Sequence, residues 1–282
     1  MPKKTLISIS ALLACVALYA LAPTQSEPRL AGRQDILFAC DFESPEWYRA
    51  WGLDKPEPTT DTVDHDPERK FEPFAGRALR VKVPKDGNLG SNLRFAFANR
   101  LGTEPEEIRF RYYLRLADDW NPDLQGGKMP GASGTYNRAG WGGRPVNGRD
   151  GWSARGLFGR FQNGETPLGF YCYHVDMKGK YGSGWVWDRE RLGYLKNNRW
   201  YAVEQHIKLN TPGRNDGEMR AWIDGQLAFE KTDVRMRDVA GLKIEMVWFN
   251  VYQGGTKPAP SDDHLYIDNV VIARNYIGLA RN

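Results

Sequence analysis

Ile108-Arg109-Phe110-Arg111-Tyr112-Tyr113-Leu114-Arg115-Leu116 alternates apolar and polar side chains along most of its length. Successive side chains of a strand point to opposite faces, so the pattern predicts a β-strand. Arg109, Arg111, Tyr113 and Arg115 would share one face, either the solvated outside of a sandwich or one wall of an anion-binding groove. The same period recurs on both sides of it. Residues 78–84 place Leu79, Val81 and Val83 inward, and residues 93–97 continue the alternation. Downstream, residues 200–209, 244–252 and 264–273 read as strands, and residues 218–229 read as a hairpin turning at Asp224-Gly225.

Ten or more short strands joined by turns, with no long helical pattern and no internal repeat, predict an all-β fold. The expected architecture is a two-sheet β-sandwich of jelly-roll type. Composition agrees, with 10 Trp, 13 Tyr and 12 Phe for strands and 30 Gly and 17 Pro for turns. The chain of 282 residues is long enough for one large domain, expected over residues 35–282. Residues 44–74, rich in Pro, Asp and Glu, are expected to run over the surface, and residues 23–34 to form a flexible linker.

Residues 1–22 read as an export signal. Lys3 and Lys4 precede an apolar run that ends in Ala20-Leu21-Ala22. Leu12-Leu13-Ala14-Cys15 also resembles a lipid-acylation site, and retention of the run as a membrane tether is the alternative. Export to the periplasm or the medium is expected. Cys40 and Cys172 would then remain, either bridged or as buried free thiols. Net charge is +4, and Lys3 and Lys4 supply two of those charges, so bulk charge gives no case for nucleic acid. No phosphate loop, dinucleotide fingerprint, zinc pattern or Gly-x-Ser-x-Gly elbow occurs. A monomer is expected.

One stretch carries chemistry. Leu124-Gln125-Gly126-Gly127-Lys128-Met129-Pro130-Gly131 sets one lysine among glycines, and a glycine-rich loop extends to residue 150. Trp152-Ser153-Ala154-Arg155 and Phe170-Tyr171-Cys172-Tyr173-His174 follow, with polar or phenolic groups at every second position. Ser153 with Arg155, and Tyr171 with Tyr173, should project from one side of a sheet. A lysine, an arginine, a serine and two phenols together suit a sugar acid. The family resemblance that these motifs carry implies elimination across C4 and C5 of a uronate, which needs a cation on the C6 carboxylate, a base for the C5 proton and an acid for O4. Arg155 fits the first need through its planar fork. Lys128 or a tyrosine would be the base and the other tyrosine the acid, with Lys128 as base and Tyr173 as acid preferred. Gln125 and Ser153 could help hold the carboxylate. Glu204 and His206, on one face of their strand, could line the cleft. Asp41 and Glu43 with Asp268 and Asn269 could hold a structural calcium; the chemistry itself needs no cofactor.

In order, these motifs resemble the alginate-lyase-like family 14 of polysaccharide lyases. The resemblance rests on Gly126-Gly127-Lys128-Met129-Pro130-Gly131, Trp152-Ser153-x-Arg155 and Tyr171-x-Tyr173. Leu209-Asn210-Thr211-Pro212-Gly213 with Asp216-Gly217, and Trp222-Ile223-Asp224-Gly225, add to it. It implies a jelly-roll enzyme that cleaves uronic-acid polymers by β-elimination, with Lys128, Ser153, Arg155, Tyr171 and Tyr173 as its functional set. Met129 stands where leucine is usual, and Gly159 precedes Arg160 where a tryptophan is expected. The rival readings are a non-catalytic carbohydrate-binding module, with Trp141, Trp152, Trp185 and Trp187 as its aromatics, and a glycoside hydrolase. The hydrolase would need a pair of facing carboxylates, and Glu204, Glu218 and Glu245 stand isolated.

Overall fold

A computed structural model describes residues 27–122 and 127–280. Two antiparallel sheets pack face to face. The first runs β13 (Gln226–Val234), β12 (Gly217–Ile223), β11 (Trp200–Lys208), β5 (Glu107–Leu116), β15 (Asp263–Ala273), β3 (Ala78–Val83) and β2 (Thr60–Val63). A further strand, β1 (Ile36–Cys40), pairs with the end of β15. The second sheet runs β10 (Tyr194–Leu195), β8 (Thr166–Tyr173), β7 (Trp152–Phe158), β6 (Gly127–Gly134), β14 (Met246–Tyr252) and β4 (Leu89–Ala96). On β8 also rides β9 (Ser183–Val186). This is the two-sheet sandwich that the alternation predicts.

The core lies between the sheets. Phe110, Tyr112 and Leu114 of β5 meet Phe249 and Val251 of β14, with Phe38, Trp51 and Phe95 closing one end. Edge-to-face contacts at these centroid distances add to simple burial. The period-two pattern therefore did its work: inward residues of β5 are fully buried.

The glycine-rich segment departs from the loop expectation. Residues 127–134 form β6, a central strand of the second sheet. Small residues are needed there because the neighbouring strand comes close. A Cβ on Gly131 would sit 2.4 Å from both Ala154 O and Arg155 Cα.

Two motifs of the resemblance are scaffolding. Asn210 accepts the amides of Met236 and Arg237 and donates to Thr211 O and Arg237 O, fastening the chain after β13 to the end of β11. Asp224, at φ +50°, and Gly225, at φ +77°, make the two-residue hairpin turn, and Asp224 also accepts the Ala202 amide.

The arginine-bearing face of β5 is covered at Arg111 and Arg115, while Arg109 stays part-exposed and lines a smaller cavity with Glu107 and Arg274. Part of the expected linker covers Arg111. Glu27 is buried and ion-paired with the fully buried Arg111, and Leu30 packs on Val271 and Ile277. From the other terminus, Gly278 O accepts from Arg111 and Arg29. Arg115 donates to Asn198 O and Lys70 O. Residues 27–34 are thus part of the domain, since a buried arginine requires the carboxylate that Glu27 brings.

Cys40 and Cys172 are buried free thiols on different sheets. Asp268 is fully buried, and burial, with Glu43 and Asp41 adding, raises its carboxyl well above the ordinary range. Among the described residues no three carboxylate, histidine or cysteine side chains are grouped to hold a metal ion. No described helix is long and apolar enough to cross a membrane, and residues 1–22 lie outside the described residues.

Candidate active site

The exposed face of the second sheet carries a cavity of about 690 Å³. Strand register brings its side chains together. Arg155 on β7 pairs with Tyr171 on β8, Ser153 with Tyr173, and Lys128 on β6 lies between Leu157 of β7 and Tyr252 of β14. Lys128, Arg155, Tyr171 and Tyr173 all line the cavity. They come from three adjacent strands; alternation marks Arg155, Tyr171 and Tyr173, whereas Lys128 stands out only as a lysine among glycines and through the family resemblance.

Their surroundings are unusual for cations. Arg155 is 7% exposed, and its Nη1 donates to Asn250 Oδ1 at 3.2 Å. Its Nε has no partner, and among the described residues no carboxylate pairs with it. Burial lowers its pKa to about 10. Lys128 is 8% exposed, and its Nζ stands 3.9 Å from the centre of the Tyr171 ring. Burial, with the Arg155 charge adding, brings its pKa down to about 7. Two buried cations without counter-ions among the described residues make an electrostatic demand for an anion. The one carboxylate among the described lining residues, Glu245, is engaged by the Tyr136 amide and the Thr135 hydroxyl.

The phenols are ordered by a shared network. Their ring centres are 5.6 Å apart and nearly perpendicular. Burial raises the Tyr171 hydroxyl to about 12, with the Tyr173 phenol adding through charge and a hydrogen bond. The Gly143 amide donates to the Tyr173 oxygen at 3.0 Å. Gly143 has φ +77°, a conformation that calls for glycine. The loop that follows β6 is thereby tied to the site.

Other expected residues are placed differently. Ser153 is fully buried and gives its one proton to Gly140 O at 2.6 Å, so it holds the loop and has no free donor for a ligand. Glu204 and His206 are on the outer face of the first sheet. There Glu204 accepts the amides of Ile277 and Gly278, and His206 meets Glu107. They cannot line this cavity, because β11 belongs to the other sheet. Gln125 lies outside the described residues.

Sequence reading missed Asn250, Trp248, Tyr252, Asn92 and Arg94, which form the far side of the cavity. The signal was present: Trp248, Asn250 and Tyr252 repeat the every-second-residue pattern of Ser153 and Arg155. Trp141 and Tyr181 add an aromatic rim from the loops after β6 and β8.

Residues 77–270 match the family model described as Polysaccharide lyase 14. A search of curated protein sequences found no match. Among solved structures, alginate lyase Aly36B, also determined as a variant in complex with an alginate tetrasaccharide, is similar at 20% identity. Its TM-score is 0.63, over 86% of this chain and 98% of that one. The marine PL-14 alginate lyase from Aplysia kurodai shares 19% identity at a TM-score of 0.61, covering 85% and 99%. The endo-beta-1,4-glucuronan lyase from the fungus Trichoderma reesei shares 17% at 0.55, covering 85% and 96%. At these identities the likeness is one of fold.

Proposed function

This chain belongs to the polysaccharide lyase 14 family, and from that membership we propose that it cleaves a uronic-acid polysaccharide of alginate or glucuronan type by β-elimination. The observation that carries the substrate class is the buried, carboxylate-free pair of Lys128 and Arg155 beside two phenols. A polyuronate supplies the carboxylate that Arg155 lacks, and Lys128, with its pKa lowered to about 7, is left to act as a base.

Arg155 takes the C6 carboxylate through its fork, steadied by Asn250. Neutralising that carboxylate stabilises the charge that grows on it as the C5 proton leaves, which makes the proton acidic enough to remove. Lys128, with a pKa near neutrality, accepts that proton. The C5–H electron pair forms the C4=C5 double bond, the C4–O bond breaks, and the departing O4 takes a proton from Tyr173. Tyr171 donates toward Tyr173 and keeps its own proton. Tyr173 is the better acid because its oxygen already receives the Gly143 amide, which supports the negative charge left behind. No cofactor enters these steps. Export by the segment 1–22, with a membrane tether as the variant form, and a monomeric state complete the proposal.

A panel of purified alginate blocks and glucuronan, followed in the ultraviolet band of unsaturated uronates and for reducing ends, tests it. Both signals should rise together. Reducing ends without absorbance would mean a hydrolase, and binding without either would mean a carbohydrate-binding module.

A further inference from the structure

Trp248 stands between two arginines. The guanidinium of Arg155 lies 5.0 Å from its ring centre and that of Arg94 lies 5.2 Å from it. Strand β4, which carries Arg94, is the edge of the second sheet, and Arg94 pairs with Trp248 across β4 and β14. Asn92 fixes the set: its Oδ1 accepts the Trp248 indole N–H at 2.7 Å, and Arg94 Nη2 lies 3.4 Å from the same oxygen. Glu57 is near enough to feel the Arg94 charge, but its carboxylate accepts the Asn92 amide at 2.8 Å and forms no ion pair with Arg94 among the described residues. Arg94 is solvent-exposed and lines the same cavity as Arg155.

We propose that Arg94, held by Trp248 and Asn92, is a second carboxylate anchor that makes the enzyme select stretches of consecutive uronate units over isolated uronates set between neutral sugars. This rests on the lyase reading of the same cavity and deepens it. An electron-rich indole lets two cations stand close together at reduced cost, since each is drawn to the ring. Their remaining mutual repulsion falls when anions sit on both, so carboxylates bound at the two arginines reinforce each other. The two guanidinium carbons can be no farther apart than the sum of those ring distances, a span within reach of neighbouring units of one chain. A planar fork at each end fits a carboxylate at each end. A chain with one acid per several neutral sugars would leave Arg94 unpaired.

The test compares wild type with Arg94→Ala and Arg94→Lys on purified oligouronates of increasing length, and on a polymer that carries one uronate per several neutral sugars. For long oligouronates, Arg94→Ala should raise KM about tenfold and leave kcat within about twofold, because uniform binding is lost without loss of chemistry. Arg94→Lys should recover part of the loss. Oligomers too short to reach β4, and the polymer of isolated uronates, should show the same KM with and without Arg94. Equal KM for wild type and Arg94→Ala at every length, in an enzyme that cleaves polyuronate, would overturn the second anchor alone. Absence of cleavage by wild type on every polyuronate would overturn the lyase reading itself.

Discussion

The Gly143 amide donates to the Tyr173 phenol oxygen at 3.0 Å, joining the loop after β6 to the strand that carries both phenols. The donor sits where negative charge grows if Tyr173 gives up its proton. Tyr173→Phe should therefore lose about 10²- to 10⁴-fold in kcat, the usual span for one proton-transfer group. Tyr171→Phe should lose less, because Tyr171 supports Tyr173 and its own hydroxyl is raised to about 12. Steady-state kinetics with circular dichroism as a folding control reads the order of the two losses. A larger loss in Tyr171→Phe would reassign the acid.

Asn250 gives Arg155 a neutral acceptor, which leaves the guanidinium charge available. Asn250→Asp would supply a counter-ion of similar shape, and should lower kcat/KM more than Asn250→Ala, with circular dichroism to check folding because both variants lose the donation from Asn250 Nδ2 to Ser91 O. The expected loss is at least about tenfold, the size of one charge-assisted contact. Full activity in Asn250→Asp would remove Arg155 as the carboxylate anchor.

Burial of Lys128 works against folding. Its pKa falls from an ordinary 10.5 to about 7, so between those values the unfolded chain binds more protons than the folded one. Stability contributed by this site therefore rises with pH across that window, and the penalty of the buried charge is fully present below it. Lys128→Met removes the charge at similar volume. Scanning calorimetry at pH 7 should show a higher melting temperature, by several degrees, together with loss of turnover. A lower melting temperature would contradict the cost assigned to the buried amine.

How far the sequence carried the reading follows from what a period of two can and cannot say. Alternation in residues 108–116 marks which side chains of β5 face inward, and the spacing of Ser153 with Arg155 and Tyr171 with Tyr173 puts them on common faces. It does not say which sheet a strand joins. Glu204 and His206 share a face as expected, but β11 lies in the other sheet, so their face looks away from the cavity. Nor does it say what covers a face: Arg111 and Arg115 are buried by segments distant in sequence, including one that reads as a linker. Glycines at 127, 131 and 134 suggest a loop, whereas close strand approach requires them inside β6. The Gly143 tie to Tyr173 depends on a φ of +77° and spans a separation of thirty positions, which local pattern does not encode.

Glu204 holds the C-terminal segment by accepting the Ile277 and Gly278 amides at 2.9 and 2.8 Å. Glu204→Gln replaces one acceptor with a donor facing an amide, and should cost about 1–3 kcal/mol of stability. Its kcat and KM, and those of His206→Ala, should stay within about twofold of wild type. A large kinetic loss at equal folding would return these residues to the site.

The central claim is that a neutral Lys128 removes the C5 proton. The pH dependence of kcat/KM on a polyuronate tests it most directly, read as initial ultraviolet absorbance in wild type and Lys128→Met. Wild type should rise through an apparent pKa of about 7 and level off above it, since the neutral amine is the active form. Lys128→Met should show no turnover at any pH. A flat wild-type profile across pH 7, or sustained turnover in Lys128→Met, would contradict the account.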